Sequence, residues 1–195
     1  MNEKIISGIK KYVNQMMGPL EDHYYHQYEH ALEVAERSLE VGKKEGLPEE
    51  ELELLYIASL FHDVGFVIQY DNNEIIGATI AKNYLKSILY PEDKIKIIEE
   101  LIISTTLEIE PKNLLEKIIK DADMDNLGRV DFFEKGEKLK HELELIKKIK
   151  ILDPDWSHYS LNLLKSHNFY TNTGINERNL IKSENIKILE NKINN

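Results

Sequence analysis

The apolar residues of this chain recur every three or four positions, and no run alternates for the length of a β-strand. That period is the strongest constraint on the fold: it predicts an all-α protein. Residues 2–17 carry Ile5, Ile6, Ile9, Val13 and Met16 at mostly helical spacing, before Gly18-Pro19 breaks it. A second helix is expected over 27–45, closed by Gly46. Pro48 followed by three glutamates starts a third, since proline fits a first helical turn and acids suit the positive end of the helix dipole. It runs to His62-Asp63, after which Gly65 and Tyr70-Asp71-Asn72-Asn73 mark a loop. Further helices are expected over 74–89, from Pro91 to Ser104, from Pro111 through Asp121 and Asp123, over 130–138 and 139–152, over 155–167 behind Asp153-Pro154-Asp155, and over 176–193. No repeat or low-complexity linker interrupts them. A length of 195 residues fits one domain, with the segments after about 131 as peripheral helices.

Composition narrows the chemistry. Hydrophobic residues make up 42% and charged residues 31%, the balance of a soluble globular protein. No apolar stretch approaches the roughly 18–20 residues that span a bilayer, and the N-terminus lacks a secretory pattern. Without cysteine, disulfides, thiolate metal sites and cysteine nucleophiles are excluded, and a cytoplasmic location fits best. The formal charge of −10 disfavours nucleic acid as a partner but leaves room for a small phosphorylated substrate, because a bound metal supplies positive charge locally. A homo-oligomer is compatible with the sequence.

His62-Asp63 ends the apolar run Leu54–Phe61, a place where neither side chain is needed for packing. Both are divalent-metal ligands. Ligand-type residues stand on either side: Tyr25-His26-Gln27-Tyr28-Glu29-His30 upstream and Asp121-Ala122-Asp123-Met124-Asp125-Asn126 downstream. On a helix, His26 and His30 share one face a turn apart, so both can bind a metal, or one can bind while the other reaches a substrate. His62 and Asp63 point about 100° apart on a regular helix and converge only at a helix end. Asp121 or Asp123 supplies a last carboxylate. Two imidazoles and two carboxylates leave open positions on a six-coordinate ion for a water and a phosphoryl oxygen, and the ion acidifies such a water.

The ordered set His30, His62-Asp63, Asp123 resembles the HD superfamily of metal-dependent phosphohydrolases over roughly residues 24–130. The 25–30 segment also resembles the Tyr-His-Asn-x-x-His motif of cyclic-nucleotide phosphodiesterases. The resemblance implies a compact multi-helix HD-like bundle with the metal between helices. It implies His30, His62, Asp63 and Asp123 as ligands and His26 as the general acid. Glu74 and Arg129 are candidate substrate-binding residues. The expected cofactor is one divalent ion, drawn from Mn, Fe, Ni, Co, Zn or Mg. The expected activity is that of a phosphomonoesterase or phosphodiesterase on a small metabolite such as a nucleotide.

Departures matter too. No histidine lies between His62 and His141, and Asn73-Glu74 stands where related members carry His-Glu, so one metal is expected rather than two. The extended motif of the cyclic di-GMP hydrolases is absent, and Phe66-Val67-Ile68-Gln69 replaces the Glu-Asp pair of alarmone hydrolases. These gaps sustain an alternative: a metal-binding sensor or partner-binding helical module with reduced catalysis.

Overall fold

Helix α3 (Glu49–Phe61) is buried on every side from Leu54 to Phe61, which makes it the axis of its surroundings. The computed structural model describes residues 1–18 and 23–194. Around α3 stand α1 (Glu3–Met17), α2 (Tyr28–Lys44), α4 (Asn73–Ser87), α5 (Glu92–Ser104) and α6 (Leu114–Asp123). The chain continues as α7 (Phe132–Lys147), α8 (Asp153–Ser166) and α9 (Asn172–Asn194), with short 3-10 turns at Val64–Val67 and Asp125–Gly128. The described residues contain no strand, so the fold is all-α, and no helix among them is long and apolar enough to cross a membrane. The expected Gly18-Pro19 break falls partly outside the described residues, since Pro19 is not among them.

The chain divides into two compact units, residues 1–20 with 26–123 and residues 21–25 with 124–195. In the first, α1 buries Ile6, Ile9 and Val13, as the pattern predicts, and Met17 instead of Met16, which with Ile5 is only partly buried. Helices α2 and α3 pack closely, and a hydroxyl pair lies in their apolar seam: Ser59 Oγ donates to Ser38 Oγ at 2.9 Å. Helix α4 approaches the end of α3 with no side chain between them. A Cβ on Gly77 would sit 3.0 Å from the Phe61 carbonyl oxygen and 3.2 Å from that of His62. The end of α5 is closed by a buried ammonium: Lys120 Nζ donates to the carbonyls of Ser104 at 3.0 Å and Thr106 at 2.7 Å. Burial pushes the Lys120 pKa down.

Two expectations change. Helix α6 begins at Leu114, not at Pro111, because Asn113 and Glu116 close a reciprocal cap: Glu116 N donates to Asn113 Oδ1 at 3.0 Å, and Asn113 Nδ2 to Glu116 Oε1 at 2.9 Å. The two segments expected over 130–138 and 139–152 are one helix, Phe132–Lys147, ended where Lys148 takes a left-handed conformation (φ 52°).

In the second unit, Leu127, Phe132, Leu164 and Leu189 form the core. Helix α9 presses on the 3-10 turn 125–128. The Arg178 guanidinium forks onto Asp125 at 2.7 and 3.0 Å, and Asn185 Nδ2 donates to the carbonyls of Leu127 and Arg129. Gly128 is required there, since a Cβ would come within 2.4 Å of Arg178 Cβ.

Candidate metal centre

The geometry starts where α3 stops. Phe61 is its last helical residue; His62 keeps helical torsions, but Asp63 turns to φ −101°, ψ 0°. That change lets two neighbouring side chains aim at one point. A 3-10 turn follows, and Gly65 within it lies against the first residue of α4 so closely that a Cβ would stand 1.9 Å from the Asn73 carbonyl oxygen.

Four ligand-type atoms converge from α2, the end of α3 and the end of α6. His30 Nε2 lies 3.5 Å from Asp63 Oδ2 and 3.3 Å from Asp123 Oδ1. His62 Nε2 lies 3.1 Å from Asp63 Oδ2 and 3.3 Å from Asp123 Oδ1. Such separations match neighbouring ligands each about 2.1 Å from one ion. Among the described residues, His30, His62 and Asp123 form the one cluster of metal-ligating side chains whose atoms all lie within 4.8 Å of each other.

Two details argue that these atoms face an ion rather than one another. His62 Nε2 and Asp63 Oδ2 are buried, and despite their 3.1 Å separation neither has a hydrogen-bond partner. Buried polar atoms left so are costly unless a ligand satisfies them. The second is the tautomer. His62 Nδ1 lies 2.7 Å from the Ser59 carbonyl oxygen, which can only accept. The Nδ1 proton is fixed there, and the neutral ring turns the Nε2 lone pair to the cluster. The residues therefore fit a divalent ion. In the metal-free protein burial opposes a charge on His62, yet the Asp63 and Asp123 carboxylates overcome it and raise its pKa well above the ordinary value. Burial works against the charge on both carboxylates as well, but the His62 imidazolium outweighs it and holds each below the usual range.

The chain contains a family signature that covers this cluster. The sequence model of the HD domain matches residues 27–125. The chain belongs to the HD domain family. The HD match holds all four converging residues and begins one position after His26. Similar folds occur in the Lin1889 protein of Listeria innocua (22% identity, 100% of this chain and 94% of that one, TM-score 0.65). Bacillus subtilis YpgQ, solved in complex with ADP, is 19% identical over 96% of this chain and 97% of its own, with a TM-score of 0.65. A Lactobacillus plantarum protein aligns at 16% identity over 99% and 95%, with a TM-score of 0.69. No curated protein matches the chain.

Around the converging side chains, the other candidates separate. Asp121 is buried in α6 and outside the cluster, whereas Asp123, its side chain 22% exposed, is the most open of the four converging side chains. His26 departs from its expected place. Helix α2 begins at Tyr28 and its cap, Gln27, is extended, so His26 precedes the helix instead of sharing a face with His30. Its ring lies 4.2 Å from Phe66, 5.9 Å from Tyr70 and 6.1 Å from His30, centroid to centroid. Glu74, in the first turn of α4, is half-buried; burial, with Asp63 and Asp123 facing it, pushes its carboxyl pKa up. Arg129 belongs to the second unit, where its guanidinium forks onto Asp131 at 2.9 and 2.6 Å. Tyr24 packs on His141 in that unit too. Sequence reasoning missed Ser59, which orients His62, and Phe66. The Ser59 contact is made by a backbone carbonyl, which no side chain announces, and nothing local marked Phe66.

Proposed function

We propose that this HD protein is a metal-dependent phosphohydrolase that cleaves a phosphoester of a small metabolite, with nucleotides as the first class to test. The observation that carries the reading is the convergence of His30 Nε2, His62 Nε2, Asp63 Oδ2 and Asp123 Oδ1 within 3.1–3.5 Å contacts, two of them buried without hydrogen-bond partners. A divalent ion held there supplies an acidified water and positive charge for phosphoryl oxygens. The chain's own residues do the rest. Ser59 holds the His62 tautomer, and Asp63 and Asp123 set the charge of the pocket. His26, beside His30, gives a proton to the leaving oxygen as the P–O bond breaks. Glu74, whose carboxyl pKa is pushed up by burial and by Asp63 and Asp123, is the candidate to hydrogen-bond a substrate hydroxyl or phosphate oxygen. YpgQ was solved with ADP, which supports starting from nucleotides.

The test is elemental analysis of the purified protein joined to a phosphoester screen with added manganese, iron, cobalt, nickel, zinc and magnesium. Asp63→Ala should lose both the ion and turnover with little change in helical content. His26→Ala should keep the ion and lose about a hundredfold or more in kcat. Full activity in a metal-free Asp63→Ala protein would refute the reading.

A further inference from the structure

We propose that Phe66 and Tyr70 are positioning residues that set the His26 ring for proton delivery; this rests on the phosphohydrolase reading. A histidine on a helix is aimed by the helix. His26 is not on one: it precedes the extended residue Gln27 (φ −115°, ψ 173°), so its ring is aimed by its surroundings and not by the register of α2, which aims His30. The structure places two aromatic rings against it. Phe66 lies against it at 4.2 Å, tilted by 31°, and Tyr70 meets the ring edge-on at 83° and 5.9 Å. Phe66 and Tyr70 also touch each other, centroids 4.8 Å apart, so the three rings form a closed triangle. Tilted and edge-on ring contacts at these distances are favourable.

The support is tied to the ligand pair. Phe66 is buried (8% exposed) on the 3-10 turn that leaves Asp63, and its backbone N–H donates to the Asp63 carbonyl oxygen at 3.1 Å. One turn thus carries a metal-ligand candidate at its start and the platform for the proton donor three residues on. Any shift of that turn moves both together, which keeps the donor in register with the bond to be broken.

The experiment compares manganese-loaded wild type, Phe66→Leu, Tyr70→Leu and Tyr70→Phe on phenyl phosphate and 4-nitrophenyl phosphate. Phenolate needs a proton to leave; 4-nitrophenolate departs with far less help. Positioning predicts that Phe66→Leu and Tyr70→Leu lose about tenfold more kcat on phenyl phosphate than on 4-nitrophenyl phosphate, with manganese content retained. Tyr70→Phe, which keeps the ring, should restore the wild-type ratio. In a His26→Ala background Phe66→Leu should not change the ratio further, because the group it orients is gone. Equal losses on both esters, or a further change of the ratio in the His26→Ala background, overturn the positioning role while the hydrolase reading stands. A wild-type protein that binds manganese yet cleaves neither these esters nor any nucleotide overturns the hydrolase reading, and this proposal with it.

Discussion

Gly65→Ala is the sharpest test of how the fold builds the centre. The added methyl would lie 1.9 Å from the Asn73 carbonyl oxygen, 2.6 Å from its carbonyl carbon and 2.8 Å from its Cα. All three are backbone atoms at the first residue of α4, so no rotamer change relieves the overlap. Ordinary contact needs about 3.4 Å, so the turn and the helix must part by roughly 1.5 Å. Helix α4 is itself held through Gly77 against the Phe61 and His62 carbonyls, which leaves the turn beside Asp63 as the part that yields. Overpacking of this kind costs about 1–3 kcal/mol, a few degrees in Tm for a chain of this size. Metal sites tolerate only about 0.2 Å in ligand distance, so metal affinity should fall by more than the stability loss suggests. Gly136→Ala is the control: its Cβ would meet nothing closer than Trp156 at 3.9 Å, and inside α7 it should stabilise by about 0.5–1 kcal/mol. Thermal melts by circular dichroism and manganese content by elemental analysis read both. A Gly65→Ala protein with wild-type Tm and wild-type metal content would show that the close approach is not what fixes Asp63.

Metal affinity should weaken as pH falls, because binding displaces a proton from His62. Its pKa is raised above 6.5, so the loss should begin above that value, and affinity that is flat from pH 8 to 6 would contradict it. Lys120→Met should cost about 1–3 kcal/mol in urea unfolding, since the Ser104 and Thr106 carbonyls lose their buried donor; an unchanged midpoint counts against that cap. Arg178→Ala strips the fork from buried Asp125, leaving Arg129 at 4.0 Å as its remaining ion-pair partner, and should cost about 1–3 kcal/mol, relieved by Asp125→Asn in the double variant if the weakened pairing is the cause.

Much of this was legible in the chain. Helical periodicity located the elements because α3 and most of α1 bury the residues that their patterns mark, Ile5 and Met16 staying partly exposed. The order His30, His62-Asp63, Asp123 was readable because each ligand type sits at the end or on the inner face of a patterned helix. What escaped was partly a matter of local helix starts and partly tertiary. Proline at 111 looked like a start, yet the Asn113–Glu116 cap outcompetes it. The four-residue spacing of His26 and His30 implied a shared helix face, but α2 starts between them. The approach of Gly65 to Asn73 and the ring of Phe66 against His26 join segments whose local sequence carries no trace of the partner.

The Ser38–Ser59 pair acts as a vernier between α2 and α3. Apolar seams are forgiving: ridges can slide along grooves with little loss of buried area. Two hydroxyls facing each other in such a seam are less so, because sliding by one residue, about 1.5 Å, breaks the bond between them, while Ser59 Oγ keeps only the Leu55 carbonyl of its own helix. Ser59 lies three residues before His62, and Ser38 eight after His30, so the alignment that satisfies the hydroxyls is the same one that brings the two imidazoles together. Ser59→Ala should therefore do more than loosen the core. It would remove the energetic difference between the alignment that can hold an ion and its near neighbours, and the cost would appear as heterogeneous metal binding in a protein that still folds.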